Sequence, residues 1–165
     1  MERDELAGWL HLTLTLPHDG AAARRLLAAF GPPSAILAQD DAALAQVLDR
    51  AMADALRRPP PGLDAQLDAT LAWLDQDRAQ RDILALDDPR YPAALLAMAD
   101  PPLMLYRLGR LEAPPQRALA IVGSRNPTPQ GANNARESAI RNSFEFVFFF
   151  KLSGLSASRP SRRRS

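Results

Sequence analysis

A continuous apolar run that ends directly in a glycine turn places the strongest constraint on the fold of this chain. Residues 118–122 read Ala-Leu-Ala-Ile-Val, and Gly123-Ser124-Arg125 follows at once. A parallel strand that is buried on both faces has this composition. Thr128 and Pro129 form a favourable N-cap and first-turn pair, so we predict a helix that begins there. The order of strand, glycine turn and helix predicts an α/β fold of the doubly wound kind.

The same turn contains the candidate binding residues of the chain. Gly123 has no Cβ and lets a ligand approach the backbone, while Ser124 and Arg125 offer a hydroxyl donor and a fork of five N–H donors suited to phosphate. The alternative is that the turn only joins a strand to a helix, with Arg125 solvated or paired to an acid. The segment is neither a G-x-G-x-x-G fingerprint nor a Walker P-loop, and no nucleophile, base and orienting group occur together.

Composition excludes several classes of site. The chain has no cysteine and only two histidines, His11 and His18, so we predict no disulfide, no metal and no cofactor. No apolar run reaches the length of a membrane span, and the N-terminus does not resemble a secretory signal. These features favour a cytoplasmic protein without a membrane partner.

The first 80 residues predict a helical domain. Leu6, Leu10 and Leu14 recur every four positions, and a turn at residues 17–20 leads to a helix that ends at Phe30. This order of a helix, a Pro-x-x-Gly turn and a second helix resembles a helix-hairpin-helix. The turn amides of such a motif can hold a DNA phosphate. His18 replaces the usual first glycine of such hairpins, so helical packing is favoured over DNA contact.

Further helices follow from local signals. We predict that Ser34 caps a helix through Leu37, that Asp40 or Asp41 caps one through Leu48, and that a helix runs over residues 63–74 after the breakers at 57–62. Trp73 is expected to pack onto a neighbouring element.

Short strands replace the helices from Ile83 onwards. Residues 83–86 and 103–106 are strand candidates, separated by turns that are rich in proline. Asp87 and Asp88 are expected to form a solvated turn, because neighbouring side chains on an extended segment point apart.

The pattern that begins at these strands resembles the DprA/Smf family of DNA-processing proteins. The residues that carry the resemblance occur in the family's order and spacing: Tyr91-Pro92, Leu95, Asp100-Pro101-Pro102, Leu105-Tyr106, Gly109 and the run from Ala118 to Gly131. A helical module before them also fits, since the family begins with a helical domain similar to the sterile alpha motif. The resemblance covers roughly residues 5–136.

The resemblance implies a protein that binds single-stranded DNA and loads the RecA recombinase in DNA recombination and natural transformation, or competence. Its implied DNA-binding residues here are Gly123, Ser124, Arg125 and Asn126, with no catalytic residue. The implied fold is a SAM-like helical domain over 1–80 followed by the start of a Rossmann-like DNA-binding domain over 81–142. Full-length family members are homodimers.

The last segment, residues 143–165, departs from the family pattern. It holds a phenylalanine-rich run at 144–150 and a tail with four arginines between 159 and 164. The shift predicts a frameshift or a truncation, an incomplete Rossmann-like core and impaired DNA binding. The run at 144–150 is expected either to form a buried strand of a β-α-β unit or to lack sheet neighbours, and the tail to be a solvated end.

Two other functions remain open. One is an enzyme on a related Rossmann-like scaffold in which residues 123–125 hold a nucleotide phosphate. The other is a helical module that serves only for interaction, with an α/β part that does not fold.

Overall fold

The computed structural model describes residues 1–16, 19–109 and 146–149, together with Gln130 and Asn133. The helices and strands within these residues are α1 (Arg3–Thr15), α2 (Gly20–Phe30), α3 (Pro33–Leu37), α4 (Asp41–Leu44), α5 (Arg50–Leu56), α6 (Leu63–Asp75), β1 (Arg81–Ala85), α7 (Ala93–Leu96), β2 (Met104–Gly109) and β3 (Phe146–Phe149). Gln130 and Asn133 are helical, in agreement with a helix predicted to begin near Thr128.

The three longest helices confirm the predictions from leucine spacing. A capping box between Glu2 and Glu5 begins α1. The carboxylate of Asp19 begins α2 by accepting a hydrogen bond from the Ala22 amide at 2.9 Å. Gly31 ends α2 at φ 83°, a left-handed value that glycine adopts without strain. The third long helix, α6, follows Gly62, which also has a positive φ.

The short helices between them differ from prediction in their bounds. Ser34 does not cap α3, because the helix already begins at Pro33 and its N-cap is Pro32. Asp40 caps α4 as predicted, but α4 ends at Leu44 rather than Leu48. A second aspartate, Asp49, accepts a hydrogen bond from the Met52 amide at 2.8 Å and begins a separate helix, α5.

The strands form a three-stranded sheet in the order β1-β2-β3. Both pairings are antiparallel, with Ile83 opposite Tyr106 and Tyr106 opposite Phe149. Helices combined with a small sheet agree with an α/β chain. The parallel strand predicted at residues 118–122 lies outside the described residues. The expectation that the phenylalanine-rich run lacks sheet neighbours is wrong, because β3 pairs with β2.

Helices and strands share one hydrophobic core. The cluster of buried residues extends from Leu6 in α1 to Tyr106 in β2. Helix α6 connects its two parts, because the Thr70 and Tyr106 hydroxyls lie 2.9 Å apart in a buried hydrogen bond. The Trp73 and Tyr106 rings pack edge to face, with their centroids 5.3 Å apart. The Arg81 guanidinium carbon lies over the Trp73 ring, 5.2 Å from its centroid. The predicted packing of Trp73 is therefore confirmed.

Within the described residues, no helix combines the length and the apolar character needed to cross a membrane.

Candidate functional site

The turn after β1 is organised by an arginine that folds back onto an aspartate. Arg90 donates to Asp88 through its backbone amide at 2.8 Å and its Nε at 3.0 Å, both to Oδ1, and through Nη2 to Oδ2 at 2.6 Å. These donors hold the pKa of the Asp88 carboxyl below its usual range. The predicted solvated turn is thus present, but Asp88 is bound by Arg90 rather than by solvent alone.

A second aspartate joins this turn to the sheet. Asp82 in β1 accepts with its Oδ2 from Arg90 and from Arg107 in β2, each at 2.8 Å. Arg107 is only 7% exposed, so its charge is buried against the carboxylate. A buried charge is tolerated where it is paired. Arg107 therefore joins β2 to β1 through Asp82, and Arg90 joins the turn to β1.

Tyr91 connects the two proline turns of the family pattern. Its hydroxyl donates to the Pro102 carbonyl at 2.7 Å. Burial of the ring raises the pKa of Tyr91 to about 12, so the hydroxyl remains a donor at neutral pH. This hydrogen bond holds the Tyr91-Pro92 turn next to the Asp100-Pro101-Pro102 turn, which precedes β2 in the sequence.

The arginines of this part of the chain are thus occupied by carboxylates and carbonyls. Arg81 donates to the Trp73 carbonyl at 2.8 Å and to Gln76 Oε1 at 2.6 Å. Together with the pairs of Arg90 and Arg107, these contacts make the described arginines of the sheet structural. They do not form a basic surface for a polyanion.

Charge is divided unevenly along the chain. Residues 1–109 carry ten basic and sixteen acidic residues, whereas residues 110–165 carry ten basic and only three acidic ones. A phosphate backbone is attracted by Lys and Arg and repelled by carboxylates. The part of the sequence with the charge to attract DNA therefore begins after Gly109.

The predicted DNA-binding residues fall in that basic part. Gly123, Ser124, Arg125 and Asn126 lie outside the described residues, as do Pro17 and His18 of the predicted helix-hairpin-helix turn. Sequence reasoning missed the contacts of Asp82 with Arg90 and Arg107, since Asp82 and Arg107 lie 25 positions apart and no local pattern marks them.

A surface depression lies where the end of α1 meets the end of α5 and the prolines that follow it. It has a volume of about 250 Å³ and is lined by Leu14, Thr15, Ala55, Arg58 and the prolines at 59–61. Its lining combines one arginine with mostly apolar groups. No group of three or more His, Cys, Asp or Glu side chains in the described residues could hold a metal ion.

The strand-rich part of the chain is similar to a known protein family. No curated protein and no solved structure matches. One family model matches residues 82–147, from β1 into β3, and this span includes Gly123 to Asn126. It extends beyond residue 136, where the resemblance read from the sequence ended. The matched family is described as DNA recombination-mediator protein A, which confirms the resemblance to DprA-type DNA-processing proteins predicted from the sequence.

Proposed function

We propose that this chain binds single-stranded DNA as a recombination-mediator protein, and that residues 123–126 contact the DNA backbone. The observation that carries the proposal is the family match over residues 82–147, which contains this turn. The family match supports a role in DNA processing and recombination. Single-strand binding, and delivery of the strand to a RecA recombinase, are the finer steps that we propose.

The distribution of charge supports the same part of the chain. The basic residues after Gly109 outnumber the acidic ones by ten to three. Backbone contacts of this kind give affinity that is independent of sequence and sensitive to salt, as a general single-strand binder requires.

The chemistry of the turn supports a backbone contact. A glycine allows close approach, and the hydroxyl of Ser124 and the guanidinium of Arg125 can both donate to phosphate oxygens. The amide of Asn126 can add a further donor. This is binding chemistry, and the proposal includes no catalytic step.

The test is the affinity of the 165-residue chain for oligo-dT after substitution of Arg125. Arg125→Ala should cost about 1.5–3 kcal/mol, the contribution of one charge-assisted hydrogen bond. The slope of log affinity against log salt should shrink by about 0.7, the value for one single-strand phosphate. Arg125→Lys should recover part of the loss, because a point charge replaces a bidentate fork.

Arg58→Ala is the matched control. Arg58 is exposed in the acidic helical part of the chain, so its removal should leave both the affinity and the salt slope unchanged. Equal effects of the two alanine variants would contradict the assignment. Tighter binding of a mononucleotide than of oligo-dT would favour the nucleotide-binding enzyme instead. Cooperative unfolding of residues 1–80 alone, with no DNA binding by the whole chain, would favour the interaction module.

A further inference from the structure

The Asp-Pro-Pro motif has no role in the proposed DNA contact, and it lies against the helical part of the chain. Asp100 Oδ1 accepts a hydrogen bond from the Gly20 amide at 2.6 Å, across 80 positions of sequence. Gly20 is the first residue of α2. The next residue of the motif, Pro101, is among the fully buried side chains.

The position of Asp100 suits a carboxylate. The first amides of a helix have no intrahelical acceptor, and the helix dipole makes that end favourable to an anion. Asp19 accepts from the Ala22 amide at 2.9 Å, and Asp100 serves the Gly20 amide. The adjacent Asp19 and the distant Asp100 therefore each accept from one amide in the first turn of α2.

Glycine is required at the contact. A methyl group on Gly20 would lie 2.6 Å from Asp100 Oδ1 and 2.8 Å from the Pro101 carbonyl oxygen. Both distances are too short for a carbon atom, and the second involves backbone. A larger residue at position 20 would therefore push the motif away from α2.

One turn further along α2, an arginine holds the segment that precedes the motif. Arg24 Nη2 donates to the Leu96 carbonyl, and also to the Met98 carbonyl at 3.2 Å. Leu96 ends α7, where carbonyls have no intrahelical donor. Gly20 and Arg24 of α2 thus hold the loop at 96–101 through Asp100 and two carbonyls, and this set of contacts is called here the α2 clamp.

We propose that the Asp-Pro-Pro motif is an internal ligand of the α1–α2 hairpin, and that it docks the segment from β1 to β2 onto the helical part. Its carboxylate takes the amide that a DNA phosphate would take in a helix-hairpin-helix. The surface at Gly20 and Arg24 therefore receives the loop at 96–101 of the same chain, with the carboxylate of Asp100, and does not contact DNA. This proposal is independent of the function proposed for residues 123–126.

Hydrogen exchange of the 165-residue chain, followed by mass spectrometry, tests the docking. Asp100→Ala should accelerate exchange in peptides from residues 93–103 by about tenfold, the effect of one lost charge-assisted hydrogen bond. Asp100→Asn retains an acceptor without the charge and should give a smaller effect. Peptides from α5 should not change.

Arg24 and Arg25 provide a matched pair for the second half of the clamp. Arg25 is its exposed neighbour on α2 and has no hydrogen bond or ion pair among the described residues. Arg24→Ala should accelerate exchange over 93–103, whereas Arg25→Ala should leave it unchanged. The docking is overturned if neither Asp100→Ala nor Arg24→Ala changes exchange there.

Affinity for oligo-dT tests the second half of the proposal. Asp100→Ala should bind within about twofold of the parent chain, because Asp100 is not among the residues proposed to contact DNA and one exposed charge is largely screened by salt. A gain of about tenfold, or binding by Asp100→Ala where the parent does not bind, would mean that the carboxylate masks a DNA site. That outcome would overturn the assignment of the hairpin to an internal ligand. The exchange measurement needs no DNA, so it can fail or succeed separately from the proposed function.

Discussion

At the scale of single residues, His11 is a buried base inside the helical core. It is 8% exposed, and its Nε2 has no hydrogen-bond partner. Burial lowers the pKa of His11 below its usual value of 6.5, and a hydrogen bond with the Leu56 backbone offsets part of this effect. Folding therefore favours the neutral form of the imidazole.

This state of His11 predicts a loss of stability in mild acid. Below about pH 6.5 the unfolded chain takes up a proton that the folded chain does not, so the free energy of unfolding should fall as pH falls. One such proton limits the slope to about 1.4 kcal/mol per pH unit, until the folded pKa is passed. Urea unfolding between pH 5.5 and 7.5 measures it. His11→Gln should abolish this slope, and His18→Gln, which removes the other histidine, should retain it. An unchanged slope in His11→Gln would contradict the prediction.

At the scale of elements, local signals predicted helices well where they agreed with one another. Leucine spacing and the terminating Gly31 both indicated α2, and its observed bounds follow them. Helix α4 ends at Leu44 rather than at the predicted Leu48, although Leu44 and Leu48 lie at helical spacing, and helix α5 was not predicted. The Asp49 side chain competes with that spacing by capping a new helix, and local hydrogen bonding wins over a single turn of apolar pattern.

The contribution of the Asp49 cap to the free energy of unfolding can be measured directly. Asp49→Ala should lower the free energy of unfolding by about 1 kcal/mol, because the Met52 amide loses its acceptor. Asp54→Ala is the control, since Asp54 is exposed within α5 and has no hydrogen bond among the described residues. Thermal or urea unfolding of both variants measures the difference. An equal effect of the two substitutions would show that the cap contributes nothing beyond the removal of a carboxylate.

Contacts between residues far apart in the chain could not be predicted from a single sequence. The family pattern identified Asp100-Pro101-Pro102, but nothing local connects Asp100 with Gly20 or Arg24 with Leu96. Such contacts depend on how α2 and the loop at 96–101 meet in space. The chemistry of Gly123 to Asn126 was likewise identified by motif, and these residues lie outside the described part of the chain.

At the scale of the whole molecule, the acidic and basic regions of the chain have different roles in the function that we propose. The helices and β1–β2 form an acidic unit held by one core, and the basic residues that can meet DNA come after it. Carboxylates close to a phosphate chain lower its affinity. Within the acidic unit, Asp100 is bound at the start of α2, and Asp82 and Asp88 are bound by Arg90 and Arg107, so these carboxylates are used internally.

A continuous core predicts that helices and strands unfold together. Trp9 is fully buried in α1, and Trp73 packs against Tyr106 at the junction of α6 and β2. The chain has only these two tryptophans, so Trp73→Phe and Trp9→Phe each leave one fluorescent reporter. In each variant, the fluorescence and far-ultraviolet circular dichroism transitions in urea should share one midpoint, as a two-state unit requires. If the junction reporter Trp73 changed at lower urea than the circular dichroism signal, the strands would be a separate and weaker unit. The helical part would then be a domain of its own, as the boundary predicted at residue 80 implies.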